Sequence, residues 1–388
     1  SNETFATFTH EYIHFLQDLF TSFGLLNIRF NVDVLKQMSR GIYFDKSKTF
    51  NIPFILKEDD DVFLQKDIFS LFYGHTTFMQ FDFILSVKRV RNRIIKGFEN
   101  VENIELEVIK SSTREKKSLF FGSICLLEYI AYCIEKNLFR TPGLPTFPYK
   151  VPELLASHLY PDFQFNDITL VSISEISLDS MHPGSMFVDI IQRMKKENYK
   201  PLNRSDVVNF CAKYNFTKNG KTFSFEEVYI EYSNDAENSL KDYFTSDLFK
   251  DARLWLETIF NIVRKSKSDF SFTNFLTSNG KKELYKYFEL IGSPLMSNSN
   301  EYQYLYIPFN QDSDMNVPLF KAIEEVYNIL HGYRRNCTLK DHCSRLKDKN
   351  IVNQNCDISP WNKSKEEILC SFGIIWKLWG LGEKEPIL

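Results

Sequence analysis

Residues 4–20 read TFATFTHEYIHFLQDLF, and the fold and chemistry of the chain turn on this stretch. Phe5, Phe8, Tyr12, Phe15, Leu16, Leu19, Phe20 and Phe23 recur at spacings of three and four. That period predicts a helix over Phe5–Phe23 with a broad apolar face, and Gly24 is placed to stop it. A second face carries His10, Glu11, His14, Gln17 and Asp18. Within it, His10-Glu11-x-x-His14 is an HExxH pattern. One helical turn sets both imidazoles on the same side. Two imidazoles so placed suit a single zinc ion, and the adjacent Glu11 suits the general base of a zinc hydrolase. Because the helix is apolar almost all round, the polar stripe is expected to be buried as well. Buried histidines beside acids need partners, and a metal is the simplest one. Position 17 is Gln, so a third histidine in the longer form of the motif is absent and the third ligand must come from elsewhere.

The best source is Ser118–Asn137, SLFFGSICLLEYIAYCIEKN. It reads as a strongly apolar helix with two acids. Glu128 lies among Leu126, Leu127, Ile130 and Ala131, where an unpaired carboxylate would cost several kcal/mol or shift its pKa by units. A zinc ion removes that cost; a buried salt bridge or a protonated acid is the alternative. Glu135 lies two turns on, on the same side, where it is expected to support the site from behind, the alternative being the solvated end of the helix. Asp18, one turn beyond His14, is expected to support that ligand from behind, because a metal-bound histidine donates its other ring N–H to a carboxylate or carbonyl.

His10, Glu11 and His14, followed by a helix of the form LxExxAxxxE, resemble the gluzincin class of zinc metallopeptidases. The resemblance implies that Glu128 is the third ligand and that Ala131 lets the two helices approach. It implies a zinc hydrolase that cleaves a protein or peptide substrate, with Glu11 as general base. The chain is also similar to uncharacterised bacterial proteins with an HEYxHxLQ start and a cysteine-bearing tail. By analogy these suggest a regulated protease in stress or phage defence. A non-catalytic, zinc-stabilised interaction protein is the alternative, which the intact Glu11 disfavours.

The remaining chain supplies the frame. Ile28–Val32 and Thr49–Leu56 alternate like strands, 62–98 reads as mainly helical, and 101–109 alternates clearly as a half-buried strand. This last segment is a candidate edge strand for an extended substrate. After a Pro-rich loop, Thr141–Pro152, come a short helix at Leu154–Tyr160, a strand at Ile168–Ile173 and a helix at Met186–Glu197. His182, before that helix, is the candidate oxyanion stabiliser, with His158 and Tyr160 as rivals. His75 reads as structural. Residues 201–292 are expected to be largely helical, longest at Leu240–Arg264, with a strand near Tyr302–Ile307 and a helix at Val317–Tyr333. The class is thus α+β and predominantly helical, with zincin-like metal-binding helices, a small sheet and a helical C-terminal extension. The division expected is 1–200, 201–320 and 321–388.

Four of the seven cysteines, Cys337, Cys343, Cys356 and Cys370, fall near the C-terminus. Their spacing is irregular. A structural zinc is the leading reading, with iron–sulfur ligation or four buried thiols as alternatives. Phe372–Leu381, with Trp376 and Trp379, is expected to dock this tail. An odd cysteine count and no visible secretory signal point to reduced thiols and a cytoplasmic setting. With 47 basic and 50 acidic residues there is no global field to draw nucleic acid or an anionic membrane. The basic run Lys88–Lys96 reads as a solvated helix face.

Overall fold

The computed structural model describes residues 2–55, 69–91, 101–139, 143–214, 216–218, 221–297, 303–308, 317–345 and 351–387. It is α+β and predominantly helical. Two compact units arise from interleaved segments, not from three consecutive ones. The first comprises 1–29, 65–238 and 258–290; the second comprises 30–64, 239–257 and 291–388. Among the described residues, no helix is long and apolar enough to cross a membrane.

In the first unit, α1 (Asn2–Phe20) carries the HExxH pattern. It ends earlier than its period suggested, and α2 (Ser22–Phe44) begins after one residue. The reversal is tied down by polar groups. Asp179 accepts from the Ser22 N–H at 2.9 Å, and Lys267 donates both to Asp179 at 2.9 Å and to the Phe20 carbonyl at 2.7 Å. Gly24 is no helix stop; it lies inside α2. A Cβ there would stand 2.4 Å from both the Asp18 Cα and the Gln17 carbonyl oxygen. Only glycine lets the start of α2 come this close to the end of α1. Ile28–Val32, expected as a strand, continues α2. Farther along, Val34, Met38 and Ile42 are buried at helical spacing, and that periodicity overrides the short alternation before it.

A three-stranded antiparallel sheet in the order β2-β3-β4 follows, from β2 (Phe83–Arg91), β3 (Glu102–Lys110) and β4 (Glu115–Phe121). The short β1 (Thr49–Asn51) belongs to the second unit. Ile104, Leu106 and Val108 of β3 are buried, as their alternation required. The strand is central, however, with both edges already paired, so it has no free edge for a substrate. Residues 83–91, expected as helix, form strand because their basic side chains oppose the acids of β3: Lys88 faces Glu105 and Arg91 faces Glu102. Of the basic run, only Lys88–Arg91 lies within the described residues.

From β4 the chain enters α3 (Ser123–Phe139), which packs on α1. Ala131 is fully buried. Next come α4 (Val151–Leu159), α5 (Asp167–Ser177), α6 (Pro183–Lys196) and α7 (Arg204–Cys211). The α5 segment was expected to be a strand because its β-branched run alternates. The Asn166 side chain accepts from the Thr169 N–H and caps a helix instead. The hairpin β5–β6 (Phe216–Lys218, Lys221–Phe223) leads to α8 (Phe225–Tyr243), α9 (Lys250–Ser266) and α10 (Gly280–Ile291). The long helix expected at 240–264 is thus two helices, interrupted at 244–249.

The second unit adds the hairpin β7–β8 (Met296–Ser297, Gln303–Tyr304), α11 (Val317–Leu330) and short helices α12 (Lys340–Ser344), α13 (Asn355–Ile358) and α14 (Ser371–Leu378). The last strand, β9 (Glu385–Ile387), pairs in parallel with β1. Phe372, Ile375, Trp376 and Leu381 enter one apolar core with Ala322, Val326 and Ile329 of α11, so the tail docks as its composition suggested.

Gly24→Ala is expected to lower stability by about 1–3 kcal/mol through overpacking, read as a fall in the urea midpoint at unchanged m-value.

Candidate metal centre

Helix α1 presents His10 and His14, and α3 presents Glu128, so that their ligand atoms lie within 4.8 Å of one another. The Glu128 Oε2 is 3.0 Å from His10 Nε2 and 3.6 Å from His14 Nε2. Zinc bonds of about 2.0–2.1 Å in a tetrahedron separate neighbouring ligand atoms by about 3.3 Å. The two separations from Glu128 bracket that value, and all three donors lie within 4.8 Å of one another.

Both rings are held from behind. Glu135 Oε2 lies 2.9 Å from His10 Nδ1, and Gln17 Oε1 lies 2.7 Å from His14 Nδ1. A carboxylate only accepts, so His10 Nδ1 carries the hydrogen and donates it. His14 Nδ1 donates likewise to the Gln17 carbonyl oxygen, while the Gln17 amide donates to the Leu127 carbonyl on α3 at 2.9 Å. Each Nε2 is thereby directed at Glu128, which is the arrangement metal-binding histidines use.

Glu135 thus takes the supporting position expected of it. Asp18 does not: its partner is Asn27, and it acts on His14 only through charge. Burial raises the Asp18 carboxyl to about 6, against the pull of Asn27 and His14. The residue behind His14 is Gln17, which is fully buried. From sequence, Gln17 registered only as the absence of a third histidine. Its place three residues after His14 on the same polar face was the available signal.

Burial pushes the Glu128 carboxyl up, but hydrogen bonds from His10 and His14 and their charge bring it down to about 2. For His14, burial lowers the imidazole, and Glu128, Gln17 and Glu11 together raise it. Glu11, in contrast to the expected buried stripe, is exposed. It is close enough to act by charge on His14 and on Tyr149. The Tyr149 ring sits beside His10, with centroids 6.1 Å apart. Burial and the carboxylates Glu128, Glu135 and Glu11 push its hydroxyl up to about 12, so it remains a donor at neutral pH. Tyr149 lies in the Pro-rich loop, where no periodicity marks it.

His182 is not brought to this group by any hydrogen bond. It caps α6, with Nδ1 accepting from the Ser185 N–H, while Nε2 donates to the Glu102 carbonyl. Burial lowers its pKa, and a neutral imidazole with both nitrogens engaged has no donor left for an oxyanion. The Tyr160 hydroxyl donates to Asn198, and His158 is exposed beside Val87 and Gln192. His75 Nδ1 accepts from the Phe120 N–H, a structural role.

Comparison with known proteins leaves the geometry to speak for itself: no protein-family model, no curated protein and no solved structure matches the chain.

Two outcomes follow for the centre. Gln17→Leu removes the support behind His14 and is expected to weaken zinc binding about 10–100-fold, measured by competition with a chromogenic chelator. In chelator-stripped protein, the lowered Glu128 contributes stability above its ordinary 4.5 that is lost as pH falls toward about 2. The raised His14 contributes below its ordinary 6.5, and that part is lost as pH rises through its folded value. Melting temperature should therefore peak between these limits and fall on either side. Saturating zinc, which requires neutral imidazoles, should move the maximum upward.

Proposed function

We propose that the chain is a zinc-dependent peptidase of the gluzincin kind. The observation that carries the proposal is the convergence of His10 Nε2, His14 Nε2 and Glu128 Oε2, with both Nδ1 atoms already held by Glu135 and Gln17. A purely structural tetrahedral site is closed by four protein ligands, whereas a catalytic one keeps a position open. Among the described residues, three protein donors meet here.

When bound, zinc supplies Lewis acidity toward a carbonyl and acidifies water. The work of the chain's own residues follows from their positions. The Glu11 carboxylate, exposed one residue after His10, takes a proton from the attacking water and returns it to the leaving amine. The Tyr149 hydroxyl, kept protonated, donates to the oxygen that gains charge. His10 and His14 keep their protons on Nδ1 and do not exchange them. Phe78, exposed and stacked on Tyr149, offers an apolar surface to a substrate side chain beside the Tyr149 hydroxyl.

Glu11→Gln is expected to lower peptide hydrolysis about 10²–10⁴-fold while zinc content stays at the wild-type level. Fluorogenic peptide libraries and metal analysis on the same preparation read both. Cleavage at the wild-type rate would remove the assignment. Tyr149→Phe is expected to reduce kcat about 10²-fold or more with little change in KM; an effect confined to KM would place the hydroxyl in substrate binding alone.

A further inference from the structure

The second compact unit holds a cluster that this chemistry does not use. Cys337, Cys343, Cys356 and Cys370 come from three separate stretches, yet all four line one small cavity with Leu339, Ile351, Lys363 and Phe372. None forms a disulfide. The backbone around them is arranged to bring the stretches together. The Cys337 N–H donates to the Cys356 carbonyl at 2.8 Å. Fully buried Glu325 accepts from the N–H and hydroxyl of Thr338, at 2.9 and 2.6 Å, and so ties the Cys337 turn to α11. Gly373 permits α14 to approach the Lys363 backbone; a Cβ there would lie 2.7 Å from the Lys363 carbonyl oxygen.

Burial pushes the thiols of Cys337, Cys343 and Cys370 up, and three features work against it, in favour of the thiolates that an ion would bind. The Gly373 N–H points at the Cys370 sulfur, 3.5 Å away, at the N-terminus of α14. The Leu339 N–H does the same for Cys337. Lys363, only 1% exposed, brings a cation into the cavity lining, where it donates to the Ile351 carbonyl and pairs with Glu366. Such N–H···S contacts stabilise the ligand charge at metal sites. The helices that carry Cys343 and Cys356, α12 and α13, have only five and four residues, and elements this short gain from a metal staple.

We propose that Cys337, Cys343, Cys356 and Cys370 form a structural zinc centre that fastens the three stretches carrying them to one another, independent of the His10–His14–Glu128 group. Among the described residues, only that latter group already has three or more ligand atoms within 4.8 Å. The four sulfurs must therefore draw together to about 3.8 Å, the separation that zinc–sulfur bonds of about 2.3 Å impose. On binding, each thiol releases its proton to solvent and its sulfur donates one electron pair to the ion. The resulting net charge of two minus faces the N–H donors of Gly373 and Leu339 and a Lys363 ammonium whose charge is shared with Glu366.

The test uses the full chain, purified under reducing conditions, as wild type and as a His10→Ala/His14→Ala double variant that lacks the other centre. Wild type is expected to hold two zinc ions per chain and the double variant one. Replacing zinc by cobalt in the double variant should give strong near-ultraviolet thiolate-to-cobalt absorption. Adding Cys356→Ser and Cys370→Ser should abolish both the remaining ion and the band. If those serine variants fail to fold, the cobalt spectrum of the intact cysteines still decides. Absence of the band, retention of the ion in the serine variants, or iron with acid-labile sulfide in place of zinc would each overturn the proposal. Wild type that cleaves no peptide, with the cobalt band intact in the double variant, would count against the proposed function alone.

Discussion

A carboxylate on an apolar helix, facing two imidazoles on another, is the constraint on which the first unit depends. Glu128 is flanked in sequence by residues that are buried on account of their hydrophobicity, and it could not be carried there uncompensated without a cost of several kcal/mol. His10 and His14 remove that cost, and in doing so they fix the register of α1 against α3. The amide of Gln17 adds a second tie between the same helices through the Leu127 carbonyl. Packing and polar pairing therefore specify the same alignment, and that agreement is what holds the donors at ligand spacing.

The frame around this pair explains why the alignment is stiff. Helix α1 cannot slide, because its C-terminal end is fastened by Lys267, Asp179 and the close approach at Gly24. Helix α3 follows directly from β4, an edge strand of a sheet whose middle strand is buried on one face. Each ligand thus sits on regular structure, while the residues that would touch substrate, Tyr149 and Phe78, sit outside helices and strands.

Much of the centre was legible because its parts carry strong local signals. His10, Glu11 and His14 share one helical face, and an isolated acid such as Glu128 in an apolar helix demands a partner. The strand at 102–110 was equally plain from its alternation. Elsewhere, short runs of β-branched and aromatic residues satisfied the strand pattern at 28–32 and 168–173 but folded as helices. In those places a buried face of longer period, or the Asn166 cap, decided the outcome. Gln17 and Asp18 could not be ranked from spacing, since residues three and four beyond His14 both lie near its ring and only the angle to α3 separates them. The His182-Pro183-Gly184 sequence was in fact a capping signature, readable as a helix start without any catalytic role. The interleaving of the two units rests on long-range pairs such as Thr49 with Glu385, which no local pattern encodes.

The two supports behind the histidines differ in kind, and the difference sets the charge of the centre. One imidazole is backed by a carboxylate and the other by a neutral amide. A divalent ion placed among these donors meets two carboxylates, Glu128 and Glu135, and the sum of charges is zero. Had an acid stood at position 17, the same ligands would enclose an excess of negative charge and blunt the ion's pull on electrons. The amide leaves Glu128 and Glu135 alone to balance a divalent ion at the ligands, while the carboxylate of Glu11 stands exposed beside them.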